Sequence, residues 1–444
     1  MKSAQLTAQR VRLIERVSSQ LQSPLLRNAY MLIINATATS GLGLLYWVVA
    51  ARFYSADTVG VSSAALSAMT FLSGIAQLSF NDTFMRFVPP AGAAVRRLVG
   101  VAYLISIGLG VVAGGVFLLG LSTWAPSLTL LSDNPVVQTL FVLAVSFMAI
   151  FTLQDSVLTG LRRPKFILIE NAVFGALKLG LLIACAAWLK DYGIFVSSVV
   201  PMALLTVPVN ALIFKRLMPQ HVALTQQAQK ISLREVARYV AGNYLGVLAA
   251  QLTFTLLPIL VLNVAGKSAG AYYYLPALLA TSLRLVATNL TASLTVEAAL
   301  DQRRLVEYCQ RVLKNGLRIV ALLAAVVCVA APYVLAVFGK GYVAEGTLLL
   351  RLLALAAIPN VVIMVYIGKA RVQGHLHAIV LLTVVQAALE LGSSYILLGQ
   401  YGIAGIGMAF CLCQTLVALV LLATGLRPVW QRQKEDQIEK PNKP

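Results

Sequence analysis

The sequence predicts an all-α, polytopic membrane protein with twelve transmembrane helices in two pseudo-symmetric six-helix lobes. Three observations carry that expectation. First, 59% of the 444 residues are hydrophobic and only 11% are charged, where soluble domains carry roughly 25%. Second, mean hydropathy is +0.83 over the whole chain, and apolar runs of about 20 residues, enough to cross a bilayer as a helix, recur from Asn28 to Gly425. Third, the basic residues concentrate in alternate loops between those runs.

The predicted spans are 28–50, 61–87, 98–121, 136–160, 166–189, 193–214, 239–263, 271–295, 317–338, 345–368, 376–398 and 402–425. Orientation follows from the 35 Lys and Arg residues. Only Arg52, Lys190, Lys267 and Lys340 fall in the outside set of loops, and Lys178, Arg284 and Arg351 lie within spans. The remainder, counting Arg86 and Arg318 at the inner ends of their spans, belong to the inside set, which places both termini in the cytosol. Residues 1–27 read as a cytosolic amphipathic lead-in with no secretory cleavage pattern, and 426–444 as a cytosolic tail.

The longest inside loop, 215–238, divides the chain into an N-lobe, 28–214, and a C-lobe, 239–425. Arg27 and Arg238 each immediately precede a lobe's first span, and Tyr192-Gly193-Ile194 recurs as Tyr401-Gly402-Ile403 near the end of the second lobe. With six spans per lobe, both begin on the same side, as parallel repeats about an axis along the membrane normal.

Several function classes are excluded or disfavoured. The net charge of +19 is explained by membrane orientation, so no nucleic-acid partner is expected. No G-x-x-x-x-G-K-[ST] loop is present, so the chain does not drive itself with ATP. The outside loops hold only isolated acids, Asp57, Asp133 and Asp191, with Glu345 at a span edge. That leaves no paired carboxylates for acid/base work and disfavours an enzyme, so no catalytic residue is assigned. His221, His375 and His377 lack acidic partners at ligand spacing, and Cys411 and Cys413 diverge on a helix, so neither a metal site nor a cofactor is assigned.

Ionisable groups inside spans are costly and are functional candidates by default. Lys178 is near the middle of span 5, with Asn171 one heptad before it on nearly the same face. Arg284 is at the middle of span 8, on a polar stripe continued by Thr288, Thr291 and Thr295. Glu390, with Thr383, Gln386 and Ser394, forms a similar stripe in span 11. Two readings stand for these charges: an ion pair of Lys178 or Arg284 with Glu390, or a cavity lining for an anionic group. Asp82 and Arg86, four residues apart on span 2, admit mutual neutralisation or a substrate role, and Arg351 is placed to snorkel. Pro201, Pro208, Pro258, Pro276 and Pro359 lie inside spans as hinges or tolerated kinks.

Local elements add a resemblance. Span 1 is followed by Ala51-Arg52-Phe53-Tyr54-Ser55-Ala56-Asp57-Thr58-Val59-Gly60, span 2 closes with Met85-Arg86-Phe87-Val88-Pro89, and span 4 exits through Thr159-Gly160-Leu161-Arg162-Arg163-Pro164. With the two-lobe plan, these resemble the multidrug/oligosaccharidyl-lipid/polysaccharide (MOP) exporter superfamily, and within it the Wzx-type polysaccharide-biosynthesis flippases. The resemblance implies a MATE-like fold and a flippase that carries an isoprenoid-pyrophosphate-linked oligosaccharide across a bacterial or archaeal cytoplasmic membrane.

On that resemblance Lys178, Arg284 and Arg86 form a cationic substrate site, lined also by Asn35, Asn171, Thr288, Thr291 and Gln386. Glu390 is then a group for H+ or Na+ coupling or a counter-ion, alternatives that the sequence leaves open. The implied partners are the lipid-linked oligosaccharide, the bilayer and other polysaccharide-assembly proteins, with the monomer as the functional unit. The rival within the superfamily is a cation-coupled multidrug antiporter, for which span 1 offers Asn35 and Thr39 but no acid.

Overall fold

The computed structural model describes residues 24–132, 134–225, 232–300 and 304–426. The lead-in before Pro24 and the tail beyond Leu426 lie outside the described residues. Twelve long helices account for the fold: α1 Pro24–Phe53, α2 Ala56–Gln77, α3 Val95–Leu119, α4 Pro135–Gly160, α5 Pro164–Trp188, α6 Gly193–Leu212, α7 Leu233–Ala265, α8 Lys267–Leu300, α9 Leu305–Ala336, α10 Lys340–Val372, α11 Leu376–Tyr401 and α12 Ile403–Ala423. Over the described residues, ten helices are long and apolar enough to cross a membrane. Only helices satisfy every backbone N–H and C=O within one segment, which is why an apolar chain of this kind is helical almost throughout.

The two lobes repeat one packing plan. In the first, α1 packs on α5, α2 on α3 and α4, α3 on α4, and α6 on α4 and α5. Six helices later the same partners recur, with α7 on α11, α8 on α9 and α10, α9 on α10, and α12 on α10 and α11. The lobes meet chiefly through α2, which packs against both α7 and α8. Small residues allow that approach. On α2, Gly60, Ser62, Ser63, Ala64, Ala65, Ser67 and Ala68 are all buried, and Gly270 of α8 lies against the Gly60 backbone.

The two ends of the molecule differ. At the end away from the 215–238 linker, one hydrophobic core takes residues from both lobes, including Trp47, Leu128, Phe195, Leu262, Tyr273, Tyr342 and Ile403. Polar contacts cross the same seam. Arg52 donates to the carbonyls of Val337 and Ala336 at 2.8 and 3.1 Å, the Ser268 hydroxyl donates to Asp57 at 2.6 Å, and Asn263 donates to the Trp124 carbonyl at 2.8 Å. At the linker end one core, centred on Phe84, Val95 and Leu153, takes Val236 from the start of α7, and the others, centred on Leu313, Val361 and Ile363, belong to the C-lobe. The lobes therefore share a broad core at the far end and meet through the start of α7 toward the linker.

Three local departures from the predicted spans have physical causes. Span 2 is not continuous, because Leu78 and Ser79 both adopt left-handed backbone (φ 47° and 57°) and a separate short helix, Phe80–Phe87, follows. Two such residues cost about 1–3 kcal/mol each, and Ser79 donates from its hydroxyl to the Val240 carbonyl of α7 at 3.4 Å. Span 6 continues past Pro208 as a single π turn, Ile213–Leu217. Within the predicted linker, Met218–Leu224 is helical and α7 begins at Leu233, while 226–231 lie outside the described residues.

A Cβ added at Gly60 would overlap the Lys267 carbonyl, so Gly60→Val is expected to pry α2 from α8. Cysteines placed at Asp57 and Ser268, in a chain freed of its own cysteines, should cross-link readily with Gly60 present and at a markedly lower yield in Gly60→Val.

Candidate functional site

Arg284 is held by its helix at mid-bundle and by one aromatic ring. Its guanidinium carbon lies 4.2 Å from the centroid of Phe254 on α7, a cation–π stack that gains strength where water is excluded. Its Nη1 is buried with no hydrogen-bond partner. One turn on, Thr288 and Thr291 donate their hydroxyls to the carbonyls of Arg284 and Ala287, each at 3.0 Å. Both lie on the Arg284 face of the helix and border the same cavity. The Thr295 side chain lies outside the described residues.

Glu390 on α11 is 2% exposed and is held by amides rather than by a cation. Its Oε1 accepts from Gln386 and from Gln414 of α12, each at 2.9 Å, and Asn360 of α10 donates to Gln414 at 3.0 Å. The chain Asn360, Gln414, Glu390, Gln386 thus ties three helices together. Arg284, Thr288, Thr291, Gln386 and Glu390 all border one cavity of about 410 Å³, which also takes in Asp82 from the N-lobe and Arg371 from α10. Arg284 and Glu390 share it without a direct ion pair. It lies between the lobes, with Asp82 on one side and α7, α8, α10 and α11 on the other.

Lys178 lies in the N-lobe, away from that cavity's wall. Its ammonium is 4.0 Å from the Tyr46 ring centroid and 5.8 Å from that of Phe174. The Tyr46 hydroxyl is fixed among the Ile194 carbonyl, Ser197 and Ser198, at 2.9, 2.9 and 3.1 Å, so the ring under the ammonium cannot swing. Asn171 donates to Asn35 and to Asp155, each at 3.3 Å. Arg86 is exposed at the linker end, where its guanidinium lies 4.9 Å from the Tyr239 ring centroid. The three predicted cations therefore stand at three separate places. Arg351 donates to the Cys328 carbonyl at 2.9 Å.

Several polar groups stand out only in three dimensions. Asp155 and Glu170 lie together in the N-lobe, where Gln154 bonds Glu170 and Asn210 donates to Gln154 at 2.7 Å. One oxygen each of Asp155, Glu170 and Asn210 is buried without a partner. Three leftover acceptors in one cluster call for protons or a cation. Phe254, Asn360, Arg371 and Gln414 are equally absent from the predicted site. The available signal was a lone amide in an otherwise apolar span for Asn360 and Gln414, and adjacent polar pairs, Gln154-Asp155 and Glu170-Asn171, near span ends.

No family model matches the chain, and no curated protein matches it in sequence. Solved structures do match. The chain is similar to a multidrug resistance MATE family transporter of the MOP superfamily in its inward-facing conformation, with a TM-score of 0.60 at 15% identity over 92% of this chain and 96% of that one. It is similar to an outward-facing conformation with a TM-score of 0.55 at 14% identity over 94% and 97%. It is also similar to a MOP superfamily transporter from Pyrococcus furiosus, described as having a binding pocket of reversed polarity that suggests a different function, with a TM-score of 0.58 at 14% identity over 94% and 96%. The chain is thus a multi-pass membrane protein with the fold of MOP superfamily transporters.

Replacing Gln414 by Leu leaves the Asn360 amide and a Glu390 lone pair unmatched. It is expected to cost about 1–3 kcal/mol of stability, read as a lower Tm of the detergent-solubilised protein. Leu412→Ala, two residues away at a position 64% exposed, should leave Tm close to that of wild type.

Proposed function

We propose that the protein is a flippase that moves an isoprenoid-pyrophosphate-linked oligosaccharide across the cytoplasmic membrane by alternating access. The observation that carries this is Arg284: a guanidinium deep in the bundle, stacked on Phe254, with Nη1 unpartnered and no ion pair to a carboxylate among the described residues. Burying such a charge is costly unless a ligand compensates it, and the planar fork of donors matches phosphate oxygens. Thr288 beside it and Arg371, also in the wall, complete a surface that receives an anion and its attached hydroxyls.

In this reading the linker end is cytosolic, so the cavity faces the leaflet where precursors are made. The N-lobe, 28–214, and the C-lobe, 239–425, rock about the far-end seam, and the isoprenoid tail stays in the bilayer. Lys178 over Tyr46 is a second cationic station on the N-lobe side of the path. Glu390 and the Asp155–Glu170 cluster are the places where a coupling H+ or Na+ binds, and one chain supplies both lobes.

The test is the leaflet sidedness of lipid-pyrophosphate-linked glycans in cells lacking the protein. Wild type should clear a cytosolic-face accumulation, Arg284→Gln should not, and Arg284→Lys should restore it only in part because the bidentate fork is lost. Unchanged precursors in the deletion strain would defeat this reading. A cation-coupled multidrug antiporter is the second reading, favoured by the carboxylates Glu390 and Asp82 in the cavity wall; it predicts altered sensitivity to cationic drugs and normal precursors.

Coupling is separately testable in proteoliposomes. Asp155→Asn combined with Glu170→Gln should abolish the response of flipping to an imposed proton or sodium gradient while binding of the lipid-linked substrate persists.

A further inference from the structure

A second, smaller pocket of about 240 Å³ lies between the lobes, walled by α2, α7 and α8. Its lining carries no charged side chain. Instead it presents the rings of Phe254, Tyr273 and Tyr274 and the hydroxyls of Ser67, Thr70 and Thr281. Thr70 and Thr281 donate to carbonyls of their own helices, at 2.8 and 2.9 Å, so each hydroxyl oxygen at the pocket serves as an acceptor. The hydroxyls of Ser67, Tyr273 and Tyr274 make no hydrogen bond to a described residue. Pro258, also in the wall, has no N–H to offer the Phe254 carbonyl, so that acceptor is left over as well.

The position is as telling as the lining. Phe254, Tyr273 and Thr281 also wall a narrow cavity that contains Arg284, and Phe254 and Arg284 in turn border the large cavity. A ligand whose anionic group rests on Arg284 therefore has this pocket as its next neighbour, past one phenyl ring. Trp47 of the N-lobe backs the wall, its ring 4.7 Å from that of Tyr274.

We propose that this pocket is a carbohydrate subsite that takes one neutral sugar ring of the substrate while Arg284 holds the linked phosphate; the proposal rests on the flippase reading and refines it. Aromatic faces accept the C–H face of a pyranose, and the spare hydroxyls and acceptors match its equatorial hydroxyls. Excluding charge keeps the phosphate at Arg284. The volume lies below the roughly 300–1,000 Å³ usual for ligand pockets, which suits one ring with the rest of the glycan in the larger cavity.

Equilibrium binding to the protein in nanodiscs tests this with two kinds of probe: farnesyl diphosphate, and the same diphosphate carrying a single hexose or N-acetylhexosamine. At least one glycosylated probe should bind wild type about tenfold more tightly than farnesyl diphosphate. Tyr274→Leu and Thr281→Val should erase most of that gain without changing the affinity for farnesyl diphosphate. Tyr274→Phe, which keeps the ring, should retain it, and this separates a lost platform from a fold defect. Arg284→Gln should weaken both kinds of probe alike. A wild type that binds farnesyl diphosphate with no gain from any sugar overturns the subsite and leaves the anion site standing, as does a gain that survives both Tyr274→Leu and Thr281→Val. Failure to bind either kind of probe overturns the Arg284 reading together with the subsite.

Discussion

A guanidinium placed in the middle of a helix bundle and stacked on a phenyl ring sets the terms for everything around Arg284. In water its five donors would be hydrated; in this position each must find a protein acceptor, a ligand or a cavity. Phe254 lies against the charge and the side chain borders the cavity between the lobes, while Nη1 is buried without a hydrogen-bond partner. Glu390 is near enough to share that cavity, yet Gln386 and Gln414 occupy its Oε1. The acid and the base border the same cavity with no direct ion pair between them.

The bilayer imposes the same logic on the architecture. Without a hydrophobic drive between helices in lipid, association depends on close packing of small residues and on polar contacts. The seam between the lobes uses both, with the buried small face of α2 against α8 and the contacts of Arg52, Asp57 and Asn263 at the far end. Toward the linker the seam runs through the start of α7, where Val236 joins the N-lobe core, Tyr239 packs on Phe87 and Arg86, and two longer hydrogen bonds join Ser79 to Val240 at 3.4 Å and Tyr244 to Ile75 at 3.3 Å.

How much of this was legible beforehand depended on which physical rule each feature obeys. Bilayer thickness sets a minimum helix length, so all twelve spans could be read from apolar runs, but their ends could not. The helix predicted over 317–338 starts at Leu305 and the one predicted from 239 starts at Leu233, because polar helical turns continue beyond the apolar run. Helical periodicity showed that Arg284, Thr288 and Thr291 share a face. The break at Leu78 and Ser79 was not legible, because neither residue is a glycine and the left-handed turn is stabilised by an α7 carbonyl far away in sequence. Nor were Phe254, Gln414 and Asn360, each of which matters through a partner on another helix. Asp155 and Glu170 escaped notice because acids near span ends ordinarily reach water; only the packing of α4 on α5 and α6 shows them enclosed.

The repeat in packing makes the difference between the lobes informative. Equivalent helix pairs hold the two halves together, yet the first lobe sets its cation on Tyr46 and its acids in a separate cluster, while the second brings Arg284, Glu390 and their amides to one cavity. Helix α2 touches both α7 and α8 and carries the small-residue face of that contact. Its left-handed break at Leu78 and Ser79 sets the short helix Phe80–Phe87 apart from the packed half of α2, and that short helix brings Asp82 to the cavity that Arg284 borders.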